Sequence, residues 1–341
     1  MKKKKSLFKA KYTHHLFLLI GLILLVFFIY RADPQKVLSF IPIIGLNFIF
    51  ILAINLASFL GFSYAWQIAL RDFIKEATTK LGFIKIFIYK ITGEAVNNLT
   101  PLSWGGGDPL RVILLKGSLD TQKAAASVTV DRILNNFAAA LIILVGILMT
   151  LARYTLPQEI KLGLWIFLVL LIAGSIFIYL RSHQGLFSFL ISILKFLRIK
   201  RHFSDTTLQK VTETDRYISL FYKEDRWGFL FAFLLHLGGR LLSAWEILLI
   251  AQFLHSPLNF YEAYLLYSIA IVINLIFFFI PGRLGVLDGA YQGVFFLMNQ
   301  DPSIGLGIQL VRRIRTFFWT LLGFLFFSLN KKKQNKTFPQ K

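Results

Sequence analysis

Gly93-Glu94-Ala95-Val96-Asn97-Asn98-Leu99-Thr100-Pro101-Leu102-Ser103-Trp104-Gly105-Gly106-Gly107-Asp108-Pro109-Leu110-Arg111 sets helix breakers, amides and three charges beside apolar segments. Irregular backbone survives at membrane depth only where protein buries it or it lines a wet cavity, because an unsatisfied peptide group in hydrocarbon costs several kcal/mol. The stretch is therefore a candidate working element, and its reading decides the topology. The chain either crosses the membrane here or turns back.

Composition sets the class. Of 341 residues, 56% are hydrophobic, 36 are Phe and only 16% are charged, against about 25% charged in an ordinary soluble domain. The expected fold is an all-α integral membrane protein, with one polytopic membrane domain over residues 1–330 and a basic cytoplasmic tail over 331–341. No cysteine is present, which excludes disulfides, thiolate metal ligands and cysteine nucleophiles. The formal charge of +21 is concentrated in Lys2 to Lys5, Lys195 to Arg226 and Lys331 to Lys341. Those runs flank apolar segments, so positive-inside topology and anionic headgroups account for them and no nucleic-acid partner is expected. A basic Met1 to Lys11 region precedes the apolar Leu16 to Tyr30 run, but Arg31-Ala32-Asp33-Pro34 lacks an A-x-A-like site. An uncleaved first anchor is expected.

Apolar runs predict about eight spans at roughly 20 residues each: Leu16 to Tyr30, Phe40 to Trp66, Ala124 to Ala152, Leu162 to Leu180, Trp227 to Leu254, Tyr261 to Ile280, the shorter Gly285 to Met298, and Ser303 to Leu329. Lys and Arg bias puts both termini, Arg71 to Lys90, Arg111 to Lys123 and the Arg181 to Arg226 loop in the cytoplasm. The count closes if Gly93 to Arg111 returns to the side it left. Broken or re-entrant helices are thus expected near 83–111 and again near 281–298, where Pro281-Gly282-Arg283-Leu284-Gly285 interrupts a second apolar segment. Paired interruptions of this kind point to a transport site, although an ordinary cytoplasmic loop and a tight Pro-Gly turn would read alike. The loop over about 182–226 reads as a connector, with Leu186 to Leu197 suited to lie in the interface and helix-like charge spacing over Thr207 to Glu224.

Ionisable residues inside a span cost about 2.5 kcal/mol or more each and should face partners or a polar cavity. On the last helix Gln309, Arg312, Arg315 and Thr316 share an arc of about 120°, with Arg313 at its edge. That is a geometry for bidentate binding of phosphate or carboxylate, or for neutralising buried acids. His236, Arg240, Ser243 and Glu246 share a similar arc of about 120°, read either as a substrate- or proton-handling face or as an internal ion-pair network. Adjacent Asp131 and Arg132 point in different directions, and structural pairing is the reading for them. Glu94, Asn97, Asn98, Asp108 and Arg111 at the first interruption, with Arg283 and Asp288 at the second, complete the candidate headgroup-binding set.

Signatures of catalysis and cofactors are missing. The six histidines lack metal-ligand spacing, no H-E-x-x-H occurs, and the Gly105 to Asp108 run lacks the Lys-Ser/Thr of a phosphate loop. Ser103 has no neighbouring base and no nucleophile elbow. No catalytic residue, metal or cofactor is expected, and without an ATPase domain any transport is passive, ion-coupled or partner-driven.

In chain order, Gly93-Glu94-Ala95-Val96-Asn97-Asn98, Pro101, Gly106-Gly107-Asp108-Pro109 with Arg111, Val130-Asp131-Arg132, His236 with Gly239 and Glu246, Pro281-Gly282 with Leu284-Gly285, and Arg312-Arg313 with Arg315 resemble the membrane domain of lysylphosphatidylglycerol synthases, a flippase-like family. Within it the chain is most similar to the hopanoid-biosynthesis-associated membrane proteins, over nearly its whole length. The resemblance implies a multi-pass protein of the bacterial cytoplasmic (inner) membrane that handles lipid. Anionic phospholipid, polyprenyl-phosphate lipid or a hopanoid-type lipid is the expected partner, with a lipid-synthesis enzyme as a further one. Two departures stand out: Asp288 where many relatives carry Glu, and Arg283 where a small residue is common. The soluble aminoacyl-transfer domain of the full synthases is not expected after Leu329, so lipid movement is expected of this chain rather than aminoacyl-lipid synthesis. A non-catalytic accessory role in envelope lipid or glycolipid synthesis is the alternative.

Overall fold

The computed structural model describes residues 34–99, 106–199, 203–280, 283 and 285–337. The expected first anchor, Thr100 to Gly105 of the first interruption, Pro281, Gly282 and Leu284 of the second, and residues 338–341 lie outside them. Among the described residues every regular element is helical: α1 (Pro34–Ile44), α2 (Phe48–Ala69), α3 (Arg71–Ile74), α4 (Phe83–Leu99), α5 (Gly107–Leu115), α6 (Thr121–Arg153), α7 (Gln158–Gln184), α8 (Leu186–Phe196), α9 (Asp205–Glu224), α10 (Arg226–Phe253), α11 (Phe260–Ile276), α12 (Val286–Leu297) and α13 (Pro302–Thr337). The protein is an all-α membrane protein.

Among the described residues four helical stretches are long and apolar enough to cross a membrane: Pro42–Ala69, Thr121–Arg153, Gln158–Gln184 and Arg226–Phe253. The elements around the two interruptions are shorter. α4 has 17 residues and α5 has 9; α11 has 17 and α12 has 12. At about 1.5 Å per residue, none of the four reaches the roughly 30 Å of the hydrocarbon core. Two details differ from the sequence expectation. Within the run from Phe40 to Trp66 the helix tightens to a 3-10 turn at Gly45–Asn47, where Gly45 takes a left-handed φ of 40°. The last helix continues beyond Leu329 to Thr337, because Lys331 to Lys336 contains good helix formers and no proline or glycine.

The helices form two compact units, one of residues 58–89 and 109–240 and the other of 34–57, 90–108 and 241–337. In the first, Trp66, Leu70, Ile86, Leu115, Ala124, Leu134 and Ile218 are core side chains with no exposed surface. Where α2 meets α10, small residues bring the backbones together. Ser58 Oγ donates to the Gly239 carbonyl at 3.1 Å, and the Phe62 ring occupies the space a Cβ on Gly239 would need. Between membrane helices van der Waals packing replaces the hydrophobic drive, which is why small residues sit at such crossings.

The second unit is organised by α13 in the same way. A Cβ on Gly305 would lie 2.8 Å from the Tyr291 carbonyl on α12, and one on Gly323 would lie 2.9 Å from the Ile91 carbonyl on α4. Thr92 Oγ1 donates to the Gly323 carbonyl at 3.3 Å and Asn98 Nδ2 to Thr320 Oγ1 at 3.2 Å, so α4 is tied to α13 along its length.

Gly305→Leu is expected to lower stability in detergent by about 1–3 kcal/mol, the usual cost of overpacking. Gly163→Ala, where a Cβ meets nothing within 4 Å, should leave it unchanged or slightly raised. Thermal melts of the two variants are the measurement, and equal melting of Gly305→Leu and wild type would contradict the packing described.

Candidate functional site

In the unit built on α13, the three arginines take separate partners because residues on a helix advance about 100° each. Arg315 Nη1 holds the Glu246 carboxylate, and its Nη2 donates to Thr316 Oγ1 at 3.2 Å. Glu246, on α10, is wholly buried. Arg313 Nη2 pairs with Asp288 Oδ2 on α12 at 2.5 Å, and Asp288 is 1% exposed. Arg312 Nη1 donates instead to the Tyr291 hydroxyl at 2.8 Å. Asp288 and Tyr291 lie three residues apart on one face of α12, which is how they meet adjacent arginines of α13. Among these side chains three guanidinium groups face two carboxylates and one neutral phenol.

The acids form the buried floor of this cluster and the arginines its more accessible side. Arg312 and Arg313 are half-buried, and the Arg313 side chain keeps 25% of its surface against 1% for Asp288. Among the described residues Glu246 Oε1 and Asp288 Oδ1 have no hydrogen-bond partner. The site thus retains acceptor capacity in its floor, and a cation in Arg312 that no carboxylate hydrogen-bonds. Glu246 and Tyr267 are near enough to Arg312 to act on it electrostatically.

The interruptions supply the ends of this unit. Asn97 Oδ1 accepts from the Gly107 amide at 2.9 Å, capping the start of α5, and Gly107 packs so tightly on the Gly93 carbonyl and Asn97 that no Cβ fits. Asp108 follows in the first turn of α5, where the helix dipole favours an acid. At the second interruption the Gly285 amide donates to Asp288 Oδ2 at 2.7 Å. Arg283 takes a left-handed φ of 48° and Gly285 one of 76°. Left-handed backbone is uncommon for a residue with a Cβ, so the departure at Arg283 is accommodated by strain in the turn. Glu94 is half-buried and Asn98 exposed; both lie on α4, in the same unit.

The other unit holds a different cluster, centred on Asp131 of α6. Arg111 Nη2 donates to Asp131 Oδ2 at 2.7 Å, and His236 Nε2 of α10 lies 3.1 Å from Oδ1. Asp131 is 1% exposed, Arg111 and His236 not at all. The Arg111 guanidinium sits 3.8 Å from the Trp66 ring centroid, and His236 stacks on Phe62 at 5.4 Å. One turn further along both helices, Arg240 Nη2 donates to Asn135 Oδ1 at 2.7 Å. Residue numbers rise together in the two pairs, so α6 and α10 run in the same direction, as two spans leaving the same side must. Arg132, half-buried, lies about a third of a turn away from Asp131.

The predicted residues therefore divide. Glu94, Asn97, Asn98, Asp108, Glu246, Arg283, Asp288, Arg312, Arg313 and Arg315 belong to the α13 unit, and Arg111, Arg132, His236 and Arg240 to the other. The arc from His236 to Glu246 does not serve one partner: His236 meets Asp131, whereas Glu246 meets Arg315. Sequence reading missed Tyr291, Asn135 and Trp66, whereas the structural pairing expected for Asp131 is present, with Arg111 and His236 of other helices. Spacing from Asp288 by three residues was the available signal for Tyr291; none marked Trp66.

Residues 16–323 match the sequence family described as the lysylphosphatidylglycerol synthase TM region. A UPF0104 membrane protein of Pyrococcus horikoshii is 24% identical over 93% of this chain and 97% of its own length. One from Methanocaldococcus jannaschii is 25% identical over 77% and 80%, and one from Methanothermobacter thermautotrophicus 24% over 84% and 82%. All three come from archaea, so the bacterial inner membrane expected from sequence is not the only setting of such proteins.

Asp131→Ala should destabilise the protein by about 3–5 kcal/mol, since it leaves buried charge uncompensated. The double variant Arg111→Met, Asp131→Leu should lose less than Asp131→Ala alone. Denaturation in detergent measures both, and additive losses would show that the pair is not coupled.

Proposed function

The chain belongs to the family of the lysylphosphatidylglycerol synthase TM region, and we propose that it is a flippase-like lipid transporter that binds an anionic lipid headgroup inside the membrane and performs no catalysis of its own. Arg312 carries this reading. Among the described residues it is a half-buried guanidinium whose hydrogen-bond partner is the neutral hydroxyl of Tyr291, while its neighbours Arg313 and Arg315 each hold a carboxylate. A cation kept inside an apolar bundle without a hydrogen-bonded acid is costly. A phosphodiester would supply the missing charge through the paired N–H groups of the guanidinium fork.

The chemistry of the ligand follows from that vacancy in the charge balance. Anionic phospholipid and polyprenyl-phosphate lipid carry the required phosphate; a hopanoid-type lipid would need an anionic substituent. Helix pairs too short to cross the core support a polar cavity at membrane depth, since such breaks line cavities in transporters. The Glu246 and Asp288 carboxylates keep neighbouring arginines neutralised, which restricts the site to about one net negative charge.

Reconstitution into vesicles tests this. Labelled phosphatidylglycerol or polyprenyl phosphate should exchange between leaflets faster with protein than without, and faster than labelled phosphatidylcholine. Arg312→Gln should slow exchange at least about tenfold, as loss of a charge-assisted contact of about 1.5–3 kcal/mol predicts, whereas Arg312→Lys should retain part of it. Equal exchange by wild type and Arg312→Gln would remove the proposed role. Headgroup binding without exchange would favour the accessory role in lipid synthesis.

A further inference from the structure

Away from the Asp131 cluster, in the unit of residues 58–89 and 109–240, a cavity of about 270 Å³ is lined by Tyr179, His183, Tyr222, Lys223, Arg226 and Phe229. These come from the last turns of α7, the end of α9 and the start of α10. The rings form a wall: Tyr179 meets His183 edge-on at 4.7 Å, His183 meets Tyr222 at 5.4 Å, and Tyr222 meets Phe229 at 5.5 Å. Lys223 and Arg226 are exposed, and among the described residues neither is ion-paired. Asp225 between them is engaged elsewhere, by Arg71 at 2.9 Å and by the Gly228 amide at 2.9 Å; Glu224, the remaining adjacent acid, does not line the cavity. His183 Nε2 is buried without a hydrogen-bond partner among the described residues.

The wall is held in place by contacts that leave these groups available. Ser219 Oγ donates to the His183 carbonyl at 3.2 Å. Asp215 accepts from the Phe187 and Ser188 amides at 2.9 and 2.8 Å, capping α8 from α9, and Gly185 makes the corner with a φ of 114°. The site also has a definite depth. α7 and α10 are both membrane-crossing by length and apolarity, and the cavity lies where one ends and the other begins. Trp227 beside it is 82% exposed and Phe196 of α8 is 84% exposed, as aromatic residues at a membrane interface are. The chain's Lys and Arg bias makes this the cytoplasmic face.

We propose that this cavity binds the headgroup phosphate of an anionic lipid of the cytoplasmic leaflet, at a site separate from the Arg312 cluster. Two cations, an unpartnered imidazole nitrogen and the absence of a lining acid select an anion. The volume falls short of the roughly 300–1,000 Å³ of sites that enclose whole drug-sized molecules, so it takes a headgroup and leaves the acyl chains in the bilayer.

The test uses the full chain in nanodiscs of phosphatidylcholine doped with phosphatidylglycerol or phosphatidic acid, with retained lipid counted by native mass spectrometry. Lys223→Ala, Arg226→Ala should retain the anionic lipid at least about tenfold less, the loss of at least one charge-assisted contact, and His183→Gln should weaken retention further. Lys223→Arg should restore it in the Arg226 background, and the double variant's loss should be the same size whether or not Arg312→Gln is also present. Melting in pure phosphatidylcholine verifies that each variant is folded. Unchanged retention in the folded double variant overturns the proposal, as does a double-variant loss that vanishes once Arg312→Gln is also present. Glycerol 3-phosphate and inorganic phosphate are the soluble arm: failure to displace the lipid supports a lipid headgroup, and displacement by either at low millimolar concentration overturns it in favour of a free phosphate compound.

Discussion

An ionised side chain halfway along an apolar helix needs a partner from another helix, and this requirement sets the contacts of nearly every charged residue described above. Hydration is not available there, and each uncompensated charge costs several kcal/mol. Asp131 meets it with Arg111 and His236, Glu246 with Arg315, and Asp288 with Arg313. Pairs of this type add little net stability over apolar residues of the same volume. What they do is fix register: a one-residue rotation of α6 or α13 would separate several pairs at once.

The same requirement applies to backbone where the helices beside the two interruptions start. The amides of Gly107 and Gly285 open α5 and α12, and each is satisfied by a side chain, Asn97 in one case and Asp288 in the other. Asp288 therefore does two jobs, capping a helix and holding Arg313. Glycine is required at 107 because Gly93 and Asn97 fill the space of any Cβ, and suits 285 because of its left-handed φ. Two interruptions with unrelated sequences thus reach the same solution.

Much of this was legible in the residues. The limits of α4 follow from Phe83 and from Thr100-Pro101, and the spans α6, α7 and α10 were located within a few residues by apolar runs alone. The 3-10 turn at Gly45 and the end of α13 at Thr337 were not legible, because a single glycine does not reveal whether a helix changes its winding, and a basic run does not reveal where a helix frays. Which charges pair was not legible. Asp131 and His236 are 105 residues apart, and helical spacing shows which face a residue occupies without showing what lies opposite. Thus the shared arc of His236 and Glu246 was real, but its two ends serve different acids and bases. The segment read as a connector hid the Tyr179 to Arg226 cavity for a related reason, since its members are contributed by three helices.

The contrast among the three arginines of α13 bears on how a headgroup could be admitted and released. A ligand at Arg315 or Arg313 must compete with a buried carboxylate, and displacing it would strand an ionised acid that is wholly buried or nearly so. At Arg312 the competitor is the Tyr291 hydroxyl, and a neutral hydrogen bond contributes only about 0.5–1.5 kcal/mol net. Exchange at Arg312 is therefore the least costly of the three, and the carboxylates beside it limit how tightly an anion is held. Under the proposed reading that limit is useful: a transporter must let its cargo go, and a site with three unopposed guanidinium groups would retain a phosphate too strongly to turn over.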